Sequence, residues 1–260
     1  MDECLDHSRW SLTLHLPAET ESGQKYYPAR QRPGRLIGFS LVQALLARLR
    51  TLHPISIFAI VFAIALIVRL IVFYQVSRDP AVDQLSGDGR AYVQWADTIS
   101  KEGWIGHEVF YQTPLYPHLL AVLRGGMGMD FTTIRIVQAI VGSAGCGLLA
   151  LGTRRLMGSP TSGLIAGLLL TLYPAAISFD LQIDKPVLDA PLMAGIIWCV
   201  GELIHRPKPK WWLACGALCG LAALTRENAL IFLPVLVALA LFPSPGTPAF
   251  GSEAQARRGE

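Results

Sequence analysis

From Pro54 onward the chain alternates between long apolar blocks and polar breaks. Blocks of this length match the roughly 20 helical residues needed to cross a bilayer. The first runs from Pro54 to Tyr74. It is interrupted only by Arg69 near one end, where a long side chain snorkels to the interface or faces a protein cavity. The second, about Phe131 to Gly152, stops at Arg154-Arg155, and the third takes Pro160 to Tyr173 and a few residues beyond. The fourth, about Pro186 to Ile204, ends in a basic run from His205 to Lys210. Trp211 to Phe242 is too long for one crossing: its 32 residues reach about 48 Å at 1.5 Å each, against a bilayer core of about 30 Å. Thr225-Arg226-Glu227-Asn228 interrupts it, and a hairpin of two short helices accounts for both facts. The pattern predicts an all-α, polytopic transmembrane fold of about six membrane segments.

One long polar segment, Gln75 to Asp130, separates the first two blocks. After the turn Ser86-Gly87-Asp88-Gly89, the residues Tyr92, Trp95, Ala96 and Ile99 recur at helical spacing, which predicts a short amphipathic helix. Pro117 opens a second short helix through Leu123, ended by Gly125-Gly126. This loop is therefore expected to be structured. Residues 1–53 form a polar leader whose last part, Leu36 to Leu49, reads as an amphipathic helix lying along the membrane. It lacks the early apolar core of a cleaved signal peptide, so the first block is expected to serve as both signal and anchor. Residues 54–242 make up the membrane region, and the Gly-, Pro- and Ser-rich tail, 243–260, reads as disordered.

Composition and charge narrow the class. Of 260 residues, 52% are hydrophobic and 16% charged. A soluble domain carries nearer a quarter charged residues, so an ordinary cytosolic enzyme is excluded. A net charge of +3 is too small to imply a nucleic-acid partner, and its distribution reports topology instead. The leader is basic, the Gln75–Asp130 loop is net acidic, and the clusters at 154–155 and 205–210 fall at alternate span ends. Because Lys and Arg favour the cytoplasmic face, both termini are expected inside and the loop outside. Four of the five cysteines lie inside apolar blocks, spaced as small hydrophobes rather than as a disulfide or zinc framework.

Charge at membrane depth is costly and usually serves a site. The polar residues of the outer side form three groups: Ser86 to Tyr92, Phe110 to Pro117, and Asp180 to Pro186. Asp88 sits where a helix N-cap belongs, a stabilising role compatible with a catalytic one. Asp180 and Asp184 are either a second acid or solvated loop ends with Lys185 as partner, and Arg226 either serves the site or anchors a bend through Glu227. Trp104, Tyr111 and Tyr116 are interfacial aromatics or sugar platforms. His107 and His118 share the loop with Asp88 without close metal-ligand spacing, so no metal ligand is assigned and a divalent-metal requirement stays open.

The order of these features resembles the start of the GT-C superfamily of membrane glycosyltransferases, nearest to the protein O-mannosyltransferases, the lipid A aminoarabinose transferases and their bacterial relatives. The resemblance rests on several motifs in sequence. After a first span come Asp88, Tyr92 and Ala96, each four residues on, then Gly103, and then Pro114-Leu115-Tyr116-Pro117 opening a helix. Tyr173-Pro174 and Leu224-Thr225-Arg226 are similar to later landmarks of the family. The resemblance implies a sugar donor linked to a polyprenyl phosphate, an acceptor glycan, lipid or protein entering from the outer side, and displacement with inversion at the anomeric carbon. Asp88 matches the first-loop acid, the general-base candidate, and Asp184 or Asp180 would be a second acid. Lys185 and Arg226 would meet the phosphate, with Tyr92, Tyr111, Gln112 and Tyr116 as further substrate contacts.

The sequence also departs from the family. Gln112-Thr113 stands where the aminoarabinose transferases carry Glu-Lys, so their substrate is not carried over, and Gly89 follows Asp88 where relatives often have an acid. Family members are commonly much longer, so the chain is expected to be the N-terminal portion of such an enzyme. Two alternatives keep the helical architecture: a non-catalytic membrane subunit and a small transporter. Inverted repeats would mark the transporter; polar residues concentrated on one side favour the enzyme.

Overall fold

The computed structural model describes residues 52–79, 85, 87–104 and 112–241. The leader with its expected amphipathic helix, His107, Tyr111 and the tail lie outside the described residues. Among the described residues the secondary structure is helical, with no strand. Helix α1 is Pro54–Val76, α2 is Asp88–Glu102, and α3 is Leu115–Leu120, which runs into a π-helical turn, Ala121–Gly126. Then follow α4 (Phe131–Met157), α5 (Pro160–Thr171), α6 (Pro174–Leu181) and α7 (Pro186–His205). The described chain ends with α8 (Pro209–Ala223), a 3₁₀ turn (Glu227–Ile231) and α9 (Phe232–Leu241). Helices α1, α5, α6, α7 and α8 each open at a proline, where the missing N–H is one the helix would leave unpaired anyway.

Three of these helices, α1, α4 and α7, are long and apolar enough to cross a membrane, and the protein is an integral membrane protein. The third apolar block is broken: α5 and α6 meet at 57°, and together they are long and apolar enough to count as a fourth crossing. Pro174 accounts for the break, because it pushes Tyr173 out of the helical region to φ −74°, ψ 111°. The fifth block divides at the expected place. Helix α8 has 15 residues, about 22 Å, and α9 has 10, about 15 Å, each short of a core of about 30 Å.

Helix α4 is the centre, packed against α1, α5 and α7. Lipid supplies no hydrophobic drive between helices, so close approach of small residues has to provide the contact. A Cβ added at Gly152 would meet the Trp198 backbone of α7 at 2.9 Å, and one at Gly167 of α5 would meet Val61 of α1 at 2.8 Å. At the far end of the bundle Arg155 of α4 and Glu202 of α7 pair at 3.2 Å.

Of the two expectations for Arg69, the structure shows the one that turns it to the protein interior and not the one that snorkels. It is buried in the bundle, and its Nε donates to Asp180 of α6 at 2.6 Å. An arginine inside the span is tolerated here because a carboxylate from the broken helix neutralises it. A Cβ at Gly142 would collide with that carboxylate, so α4 leaves room for the pair.

The polar loop packs as a layer on the other end of the bundle. Tyr92, Val93, Ala96 and Ile99 of α2 join Tyr116 and Leu120 of α3 in one apolar cluster with Ile134 of α4 and Val187 of α7. The second loop helix begins at Leu115, so Pro117 lies inside its first turn rather than opening it.

Candidate active site

Three segments converge at the loop end of the bundle. Gly87, at φ 59° and ψ −132°, is the N-cap of α2, a conformation open to glycine and hostile to side chains. Asp88 is therefore the first helical residue and not the cap, and no side-chain cap bond is made there. Its charge still meets the positive end of the helix, and the exposed carboxylate is available to other partners. One residue on, a Cβ at Gly89 would stand 2.7 Å from the Ile183 carbonyl oxygen. Only a glycine lets α2 start so close to the α6–α7 connection.

That approach places Asp88 and Asp184 on one cavity of about 470 Å³. Arg135 of α4, Ser178 and Gln182 add polar lining, while Val72 and Val76 of α1 supply an apolar wall. The Asp184 Oδ1 accepts from the Lys185 backbone N–H at 2.7 Å. Burial pushes the Asp184 carboxyl above the usual range, the Lys185 N–H opposes this, and the neighbouring Asp88 charge raises it further. Two carboxylates whose fields reach each other across a polar pocket can share the tasks of accepting a proton and orienting a hydroxyl.

Tyr92 and Tyr116 lie behind this pocket, at 0% and 1% exposure, ring centroids 5.4 Å apart and edge-to-face. Neither offers an open face: both rings are packed in the core of the loop layer. Burial first, then the charges of Asp184 and Asp88, push the Tyr92 hydroxyl up to about 12. Burial likewise raises Tyr116, whose hydroxyl accepts from Gln138 Nε2 at 3.1 Å. The same amide nitrogen donates to the Gln182 carbonyl at 3.1 Å, linking the loop layer to the cavity rim.

Gln112 is half-buried at the start of the next segment. Beside it Thr113 Oγ1 donates to the Thr225 carbonyl at 2.8 Å, and the Leu115 N–H to the Leu224 carbonyl at 3.2 Å. The loop is thus bonded to the break between α8 and α9, where Arg226 stands. Arg226 pairs through Nε with Asp189 in the first turn of α7, and not with Glu227. Lys185 is the N-cap of α7, half-buried beside Asp184. Asp180 is not brought to the cavity; it is engaged with Arg69 inside the bundle. His118 places Nδ1 2.7 Å from the Pro114 carbonyl and Nε2 3.1 Å from that of Trp104, so its ring ties the loop together. Among the described residues no group of three or more His, Cys, Asp or Glu converges as a metal site.

Sequence reasoning passed over Arg135, Gln138 and Asp189. Arg135 and Gln138 stand three apart on a largely apolar span, which is itself a signal of a buried polar face. Asp189 carries no such signal, since an acid in the first turn of a helix is ordinary.

A sequence profile of the dolichyl-phosphate-mannose-protein mannosyltransferase family matches residues 112–252. No curated protein and no solved structure matches the chain. With an all-helical membrane fold and a polar cavity at one end of the bundle, the match defines the class: a membrane glycosyltransferase of the mannosyltransferase type. The chain belongs to the dolichyl-phosphate-mannose-protein mannosyltransferase family.

Proposed function

We propose that the protein transfers a sugar from a polyprenyl-phosphate donor to an acceptor hydroxyl on the outer face of a bacterial inner membrane, with its N-terminus in the cytoplasm. In this reading Asp88 takes the proton of the acceptor hydroxyl as its oxygen bonds to the anomeric carbon. The bond from that carbon to the phosphate oxygen breaks on the opposite side, with inversion, and polyprenyl phosphate leaves with the bonding pair. Asp184 orients the acceptor, and Arg226 and Lys185 offset the charge that grows on the phosphate. The observation that carries the reading is the shared cavity of Asp88 and Asp184, built from a glycine-only approach of α2 to the α6–α7 connection.

The test is Asp88→Asn in the purified protein, assayed with a radiolabelled polyprenyl-phosphate mannose in detergent. Asparagine keeps the shape but takes no proton, and loss of a positioned base costs about 10²- to 10⁴-fold in rate. The melting temperature should change little, because the residue makes no cap bond and loses only its favourable charge at the helix start. Unchanged turnover would refute Asp88 as the base and move the search to Asp184.

A further inference from the structure

Arg226 meets Asp189 by one edge. The ion pair joins the guanidinium Nε to Asp189 Oδ2, and no hydrogen bond engages the two terminal nitrogens among the described residues. Arginine presents its five N–H groups as a planar fork, so a carboxylate fixed on Nε sets the plane and leaves the outer edge for a second anion. The backbone beneath is fixed as well. Thr225 is buried with its hydroxyl on the Ala222 carbonyl at 2.7 Å, and the Arg226 N–H bonds that same carbonyl at 2.8 Å. The Thr113 and Leu115 bonds hold the break from the loop side.

Asp189 belongs to the charge set of the site. The Tyr92 phenol feels the charges of Asp184, Asp88, Arg226 and Asp189 alike. The side chain of Arg226 is 53% exposed and that of Asp189 23%, so the cation faces outward over an inner carboxylate.

We infer that Asp189 is a positioning residue that aims the Arg226 guanidinium, its terminal N–H edge outward, at the phosphate of the lipid-linked donor. The inference rests on the proposed role of Arg226 and adds the group that orients it. A bare cation on a broken helix would attract phosphate from many directions; a guanidinium pinned at Nε offers two parallel N–H groups in one plane, which suits a single phosphate geometry.

The test uses the full chain in lipid nanodiscs, with binding of a short-chain polyprenyl phosphate measured by titration calorimetry. Turnover with the polyprenyl-phosphate sugar is measured in parallel on the same preparation. Asp189→Asn should weaken binding roughly tenfold, within the range for coupled contacting residues, raising KM for the donor more than it lowers kcat. Asp189→Glu should recover part of the loss. In an Arg226→Lys background, which lacks the fork, Asp189→Asn should have no further effect, and thermal unfolding of each variant verifies that it folds. Unchanged or tighter binding in Asp189→Asn, with Arg226→Ala still weakened, would overturn the positioning role and leave the phosphate contact standing. Unchanged binding in Arg226→Ala would overturn both.

Discussion

Asp184 illustrates at the residue scale how a site is held at a cost to the fold. Its carboxyl is raised above the ordinary value of 3.8, chiefly by burial and further by Asp88. A folded state with a raised acid pKa binds the proton more tightly than the unfolded chain does. The stabilising contribution is then full below about 3.8, and it is lost as pH rises through the raised value. At neutral pH the ionised carboxylate is a net penalty that the proposed chemistry requires. Asp184→Asn should therefore raise the melting temperature at pH 7, show a smaller gain near pH 4, and lower transfer activity in the same preparation. A pH-independent change in melting temperature would argue that the side chain does not titrate in the folded protein.

At the scale of elements, the buried Arg69–Asp180 pair joins α1 to the kinked α6 where each needs the other. Removing one partner from a buried pair strands the second charge, a loss of about 3–5 kcal/mol. Arg69→Leu and Asp180→Leu should each lower the unfolding temperature sharply in detergent. The double substitution should regain most of it, because no charge is left unpaired. Gly142→Ala should resemble the single variants, since its Cβ would stand on the Asp180 carboxylate. If the double variant proves as unstable as the singles, the pair does more than neutralise. The same elements explain why Asp180, in a polar group with Asp184 along the sequence, parts from it in space. Residues four apart straddle the end of α6, so Asp180 turns into the bundle while Asp184 sits past the helix on the cavity rim.

For the whole molecule, the loop layer closes one end of a bundle whose other end carries the basic residues 154–155 and 205–210. Charge asymmetry of this kind predicts the loop outside and the basic end in the cytoplasm. Single cysteines introduced at Gln84 and Lys208, with Cys4 replaced, should separate in intact cells: an impermeant maleimide should label position 84 and not 208. Cys146, Cys199, Cys215 and Cys219 are buried and should stay silent as background. Labelling at 208 alone would invert the topology and set the cavity against the cytoplasm.

The apolar block lengths, the break at Thr225-Arg226 and the amphipathic spacing of α2 were all legible from the chain itself, whereas the third block reads as one span without its bend at Pro174. Each legible feature depends on local chemistry: a helix period, and a hydrocarbon thickness that sets the length of a span. Asp88 and Asp184 were legible as polar residues on one side, but their meeting was not. It depends on the closeness of α2 to Ile183 at Gly89, a long-range contact with no local signature. Partners were equally hidden: Arg69 with Asp180 lies 111 residues apart and Arg226 with Asp189 37 apart. Local pattern determines where a helix starts, stops and hides its apolar face. Which buried charge finds which counter-charge is decided only when packed helices exclude water and leave each ion the few partners within reach.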